Sequence, residues 1–205
     1  YPDSDTAADA IAGVLDAYLS RGQMDDAIAL TDEYLQNNPN GALADDMLLR
    51  KGDLLVTLNR MDDALTAYRR LANDYPDSPN VPYALYQVGD VLAENGDTAA
   101  ARGTFDQLAE RYPAHDLGIQ AAMEVGQMDI EAEGYADAIA LFGRVARERP
   151  GDHIGLEAGY WQGVAQLRAG DTSGGLETLR GVVSQNPTHI MAQKARLELA
   201  GHALE

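Results

Sequence analysis

Six of the eight prolines in this chain stand 37 residues apart: Pro2, Pro39, Pro76, Pro113, Pro150 and Pro187. The same step carries Gly52, Gly89, Gly126 and Gly163, and also Ala27, Ala64, Ala101 and Ala138, with Gly175 in the place of a fifth Ala. A period of roughly 20 to 50 residues means that one supersecondary unit is repeated and stacked. Each copy then touches only its neighbours, and the hydrophobic core is a line rather than a ball. Length therefore counts repeats, and 205 residues hold five such units and a remainder.

Each unit reads as two helices and two turns. In the third, apolar residues recur at helical spacing over 83–94 and stop at Glu94-Asn95-Gly96, where Gly can take the left-handed conformation that ends a helix. Asp97-Thr98 caps a second helix over 99–111, and Pro113 closes the unit because proline cannot continue a helix. The same grammar predicts helices over 11–20, 44–58, 119–131, 135–148 and 156–169, with turns at Arg21-Gly22, Asn59-Arg60, Gly134 and Gly170-Asp171. The second helix of unit one ends before Pro39, and those of units two and five run to Asp74 and Gln185. A last helix over 189–203 has no successor and is expected to cover the open end of the stack. Two positions break the pattern. Gly174-Gly175 weakens a helix start by about 1 kcal/mol per residue relative to Ala. Asp129 stands where the sister units have Leu55 and Leu92; either a slight rotation of its helix or a partner or water accommodates it, and rotation is the simpler expectation.

The formal charge of -18 comes from 33 acidic side chains against 15 Lys and Arg, only two of them Lys. Such a surface repels phosphate backbones and anionic lipid, so nucleic acid and membrane surfaces are poor partners and a neutral or basic protein is a better one. Solubility alone, or a salt-loving source, accounts for the same excess. No cysteine is present, which removes disulfides, thiolate metal sites and a Cys nucleophile. No apolar run approaches the roughly 18 residues of a membrane span. Tyr1-Pro2-Asp3-Ser4 repeats Tyr75-Pro76-Asp77-Ser78, which suggests a segment cut from a longer array, and Leu204-Glu205 carries no functional weight.

The repeated residues resemble the tetratricopeptide repeat, which places a small residue in the first helix, Ala twelve further on, an aromatic four beyond that and Pro after eight more. Gly52, Ala64, Tyr68 and Pro76 fit, as do Gly89, Ala101, Phe105 and Pro113, and Gly126, Ala138, Phe142 and Pro150. Leu15 with Thr31, and Gly175 with Leu179, depart from it in the first and fifth units. The step of 37 exceeds the family's usual repeat of about 34. The run from Tyr75-Pro76-Asp77-Ser78-Pro79 to Tyr112-Pro113 looks like the subgroup in the periplasmic Tol-Pal coordination protein and the outer-membrane assembly lipoprotein. The resemblance implies an all-α, right-handed superhelical solenoid with repeats near 5–39, 42–76, 79–113, 117–150 and 154–187, forming a single array. It also implies a protein-interaction adaptor, with the periplasm or cell envelope favoured over the cytoplasm. The alternative is a structural spacer, or a self-associating segment with no separate ligand.

The same resemblance implies a concave groove lined by the first helices. Counting from each small residue, the positions six and three before it and one after it face that groove: Asp46, Leu49 and Asp53; Tyr83, Tyr86 and Asp90; Gln120, Met123 and Gln127; Glu157, Tyr160 and Val164. Tyr and Met offer broad apolar contact while carboxylates select basic side chains, as a peptide-binding surface requires. Asp53 and Asp90, one repeat apart, are the sharpest candidates. Packing between neighbouring first helices explains Tyr83, Tyr86, Met123 and Tyr160 equally well. Capture of a C-terminal carboxylate is disfavoured, because Asp stands where that mode needs Lys and Asn.

Neither catalysis nor a cofactor is expected. Asp25-Asp26 and Asp62-Asp63 open helices, where carboxylates complement the helix dipole. Gly170-Asp171-Thr172-Ser173-Gly174-Gly175 superficially matches a serine-protease nucleophile loop but sits at a repeat turn without an oxyanion scaffold. His115, His153 and His189 follow successive prolines. Packed helices about 10 Å apart put them too far from one another to share an ion held at about 2 Å.

Overall fold

The computed structural model describes residues 5–203, with side chains from residue 10. The duplicated Tyr1-Pro2-Asp3-Ser4 and the final Leu204-Glu205 lie outside the described residues. Among the latter every regular element is an α-helix. These are α1 (Asp5–Ser20), α2 (Met24–Asn37), α3 (Ala44–Thr57), α4 (Met61–Asp74), α5 (Val81–Glu94), α6 (Thr98–Arg111), α7 (Asp116–Glu131), α8 (Tyr135–Glu148), α9 (His153–Arg168), α10 (Thr172–Gln185) and α11 (Ile190–Gly201). The order is that of five stacked pairs followed by one more first helix, in phase with the prolines. The chain divides into two compact units, residues 1–104 and 105–205.

In the first unit α2 packs on α1 and α3, and α4 on α3 and α5. The joint is filled by Met47, Leu48, Leu55, Leu65, Tyr68 and Leu71, all 6% exposed or less. Ion pairs decorate its edge: Lys51 with Asp32 at 2.5 Å, Arg60 with Asp25 at 3.6 Å and Arg50 with Asp16 at 3.8 Å. In the second unit α9 is central and touches α7, α8, α10 and α11. Its cores gather Phe142, Val145 and Ile130 on one side and Leu156, Leu179 and Val182 on the other.

The spacing of small residue and aromatic has a direct steric cause. A Cβ on Gly52 would lie 2.3 Å from the Tyr68 ring, and one on Gly126 would lie 2.5 Å from Phe142. In these two pairs the second helix thus drives a ring against bare backbone of its first helix. Gly175, a cost when read as a helix residue, is repaid here: its Cβ would meet Leu167 at 2.7 Å and the Gly163 carbonyl at 2.9 Å, so α9 and α10 approach backbone to backbone.

Two expectations are corrected. The intra-repeat turns carry a left-handed residue at Gly22, Asn59, Gly96, Glu133 and Gly170, again 37 apart. Gly134 is therefore not the breaker of the fourth unit; its φ is -76°, and Glu133 at φ 59° takes that conformation instead. Rotation of α7 does not relieve Asp129 either. Gly126 keeps its place under Phe142, and Asp129 is buried at 7% exposure, engaged rather than free. As expected, α11 covers the end of the stack: it packs on α9 and α10 and buries Met191, Ala192 and Ala195, while its other face leaves Ile190 and Leu197 50% and 75% exposed.

Candidate functional site

Within the first unit two of the expected groove residues, Asp53 on α3 and Tyr83 on α5, meet each other. Asp53 is half-buried, and its Oδ1 accepts hydrogen bonds from the hydroxyl groups of Tyr68 at 2.6 Å and Tyr83 at 3.4 Å. Tyr68 is fully buried, so its hydroxyl needs a partner inside the protein. Burial first, then the bond to Asp53 and its charge, push the Tyr68 hydroxyl well above the ordinary tyrosine range. Tyr83 is also raised, by burial, then by the Asp53 charge and bond, and by the charge of Asp90. Tyr83 nevertheless remains 38% exposed, one of few large apolar side chains so presented. Leu49, Tyr86 and Asp90 are half-buried, and neither Tyr86 nor Asp90 is without a partner. Asp46 is paired with Arg50 at 2.7 Å.

In the second unit the corresponding side chains are deeper. Met123, Tyr160 and Val164 are buried, at 5%, 8% and 7% exposure, the first in one core of the unit and the other two in the second. Gln127 and Glu157 are half-buried and Gln120 is exposed. The Tyr160 hydroxyl donates to Glu198 on α11 at 3.2 Å, with Lys194 Nζ 5.9 Å from its ring centroid. Burial, then the Glu198 charge and bond, raise its pKa, and Arg168 opposes them.

The inter-repeat edge holds a feature that helix spacing does not anticipate. His153 Nδ1 and His189 Nε2 lie 3.0 Å apart, because the start of α9 and the residue before α11 sit side by side. His189 Nδ1 accepts from the Met191 amide at 3.2 Å, so the neutral imidazole carries its proton on Nε2 and donates it to His153. His153 then carries its own proton on Nε2, 3.9 Å from Glu157 Oε2. One proton joins the two rings. His115 caps α7 in the same manner, its Nδ1 accepting from the Leu117 amide at 3.1 Å. Among the described residues no group of three or more His, Asp or Glu is arranged to hold a metal ion, and no helix is long and apolar enough to cross a membrane.

The part played by two residues escaped the sequence reading. Tyr68 occupies the position of Phe105 and Phe142, and its extra hydroxyl was the available signal that a carboxylate must meet it. Trp161, the only tryptophan, lies two residues before Gly163 with no periodic counterpart and carried no signal of its own.

Comparison with known proteins agrees with this architecture. Two tetratricopeptide-repeat models match, over residues 49–116 and 157–189. No curated protein matches. Among solved structures, a tetratricopeptide repeat protein from Parabacteroides merdae superposes with a TM-score of 0.69 at 15% identity, over 93% of this chain and 71% of that one. MamA from Desulfovibrio magneticus gives 0.64 at 18% identity, over 92% and 99%. YrrB, described as a TPR protein with an unusual peptide-binding site, gives 0.61 at 19% identity, over 89% and 88%. At such identities the structures speak for the fold alone. The matched segments, with glycine under the ring at Tyr68 and Phe142 and the stacked helix pairs, identify tetratricopeptide repeats over residues 49–116 and 157–189.

Proposed function

We propose that the chain is a protein-interaction scaffold whose first helices receive a neutral-to-basic segment of another protein. The observation that carries this reading is the patch around Asp53, where an exposed Tyr83 stands beside a carboxylate already held in place by the buried Tyr68 hydroxyl. A fixed carboxylate next to an exposed ring suits a Lys or Arg side chain, whose stem lies on the ring while its head meets the charge. Asp90, one repeat later on α5, extends the same preference. The peptide-binding site named for YrrB supports this use of the fold, and the likeness of 75–113 to the envelope subgroup supports an adaptor in a bacterial cell-envelope complex.

The test is binding of a Lys- and Arg-containing peptide array to the wild type and to Asp53→Asn with Asp90→Asn. Asn keeps a carbonyl oxygen to accept from Tyr68, so the fold survives while the charge goes. Weaker binding and a flatter salt dependence are expected. Unchanged affinity overturns the reading.

Self-association is a second reading, favoured by α11. Leu197 stands 37 residues after Tyr160, which the next first helix covers, yet Leu197 is 75% exposed. Sedimentation of the wild type against Leu197→Glu separates the two readings.

A further inference from the structure

The carboxylate of Asp53 does not offer its two oxygens alike. Oδ1 accepts from the Tyr68 hydroxyl at 2.6 Å and from the Tyr83 hydroxyl at 3.4 Å, which fills both lone pairs of that oxygen. Among the described residues the Asp53 side chain makes no other hydrogen bond or ion pair, so Oδ2 alone remains for a guest. The arrangement is held from beneath, because Tyr68 is fully buried and its ring lies against the bare backbone of Gly52. Tyr83 sets the approach. Its ring is 38% exposed, and the carboxylate stands beyond the hydroxyl end of that ring, not over its face.

We propose that the cation received at Asp53 is a lysine, and that the site discriminates against arginine. This rests on the reading that the first helices take a basic segment of a partner, and it names which basic side chain the position selects. Arginine owes its usual advantage to two devices: a planar fork that pairs with both oxygens of a carboxylate, and stacking on an aromatic face. The fork needs an oxygen that the two tyrosines already hold. Stacking over the face of Tyr83 leaves a guanidinium short of Asp53, and moving on to Asp53 gives up the stack. A lysine does not face that choice. Its four-carbon stem lies along the ring while its ammonium, a compact charge with three rotatable donors, meets Oδ2 singly. An arginine there makes the same single contact and leaves the rest of its fork unmatched.

The test uses two peptide arrays identical in sequence except that every cation is lysine in one and arginine in the other, bound to the full chain at one ionic strength. The lysine array should bind about threefold to tenfold more tightly, the range of one hydrogen bond. Tyr68→Phe with Tyr83→Phe keeps both rings and releases Oδ1, and phenylalanine already stands at the repeat position of Tyr68 in Phe105 and Phe142. The freed carboxylate then offers both oxygens, so the arginine array should gain and the preference should fall to parity or invert. Tyr83→Phe alone, at an exposed position, should narrow the preference, and it carries the comparison if the double variant weakens α4. Tighter binding of the arginine array by the wild type overturns the proposal, as does a lysine preference that neither variant moves. Equal binding of the two arrays overturns it while leaving the scaffold reading intact, whereas binding of neither removes both.

Discussion

The two units make the turn between repeats in different ways while keeping the same 37-residue step. In the first, α3 and α5 begin after Leu43 and Asn80, which hold nearly helical backbone angles and make no side-chain cap. The turn is tied instead by Asp45, which accepts from Ser78 Oγ at 2.5 Å and from Asn80 Nδ2 at 3.4 Å. In the second, α7 and α9 start two residues earlier in the repeat, after extended His115 and Asp152 whose side chains cap the first turn. That earlier start presses the helix onto the end of the preceding one: a Cβ on Gly118 would lie 1.9 Å from the Tyr112 carbonyl oxygen, and one on Gly155 would lie 1.7 Å from that of Arg149. At the same repeat position the first unit carries Ala44 and Val81, both fully buried. A fixed period therefore does not dictate one turn. It dictates that whatever turn is used returns the next helix in phase.

The strongest way to break this comparison is Gly155→Ala. The added methyl meets backbone rather than a movable side chain, so a loss of about 3 kcal/mol is expected in the second unit, read by urea denaturation with hydrogen exchange in α9. Asp152→Ala should cost about 1–2 kcal/mol, since it removes the cap on the Gly155 amide at 2.8 Å and the Arg149 partner at 2.6 Å. Burial pushes the Asp152 carboxyl up, but the Gly155 amide and the Arg149 guanidinium together hold it below the usual carboxylate range. Its contribution is accordingly complete above about pH 4 and lost as pH falls through the depressed value, so exchange in α9 should accelerate in acid and Asp152→Ala should blunt that response.

Tyr68→Phe should cost about 1 kcal/mol in the first unit, the usual worth of a buried hydrogen bond. Its pH signature is opposite. The Tyr68 pKa is raised, so its stabilisation is complete below about pH 10 and lost as pH rises further, and phenylalanine should remove that alkaline weakening of α3 and α4. Glu133→Gly should stabilise the second unit by about 0.5–1 kcal/mol, because a side chain in the left-handed region is strained where glycine is not. Asn59→Gly, at the matching turn of the first unit, should gain less, since Asn tolerates that conformation better. Smallest of all, Lys51→Met should change stability by no more than a few tenths of a kcal/mol and only at low salt, because Asp32 is half exposed. A large effect there would mean that the ionic edge, and not the buried joint, holds the first unit together.

Much of the site's chemistry was illegible for a reason visible in Tyr68 and Asp53. Their meeting follows from the register of α4 on α3, and a periodic pattern places helices without aiming hydroxyl groups. The same holds for Met123 and Tyr160, whose spacing matches that of Tyr86 although they lie deeper. His153 and His189 illustrate the point from the other side. Distances between helix axes suggested separation, whereas the loop ends, which axis spacing does not describe, brought the rings into contact.

What the sequence determined by itself was the repeat: helix pairs in a 37-residue step, with prolines closing them and small residues and aromatics recurring at the same interval. These are local requirements of backbone and sterics, and each leaves its mark on the residue that must satisfy it. Only the tertiary structure decided which of two turns each unit uses, that Asp129 is buried, that Tyr83 is exposed, and that the Trp161 N–H has no partner. Those outcomes depend on how neighbouring helices approach within a few ångströms, a distance set by all their packed side chains at once and written in none of them separately.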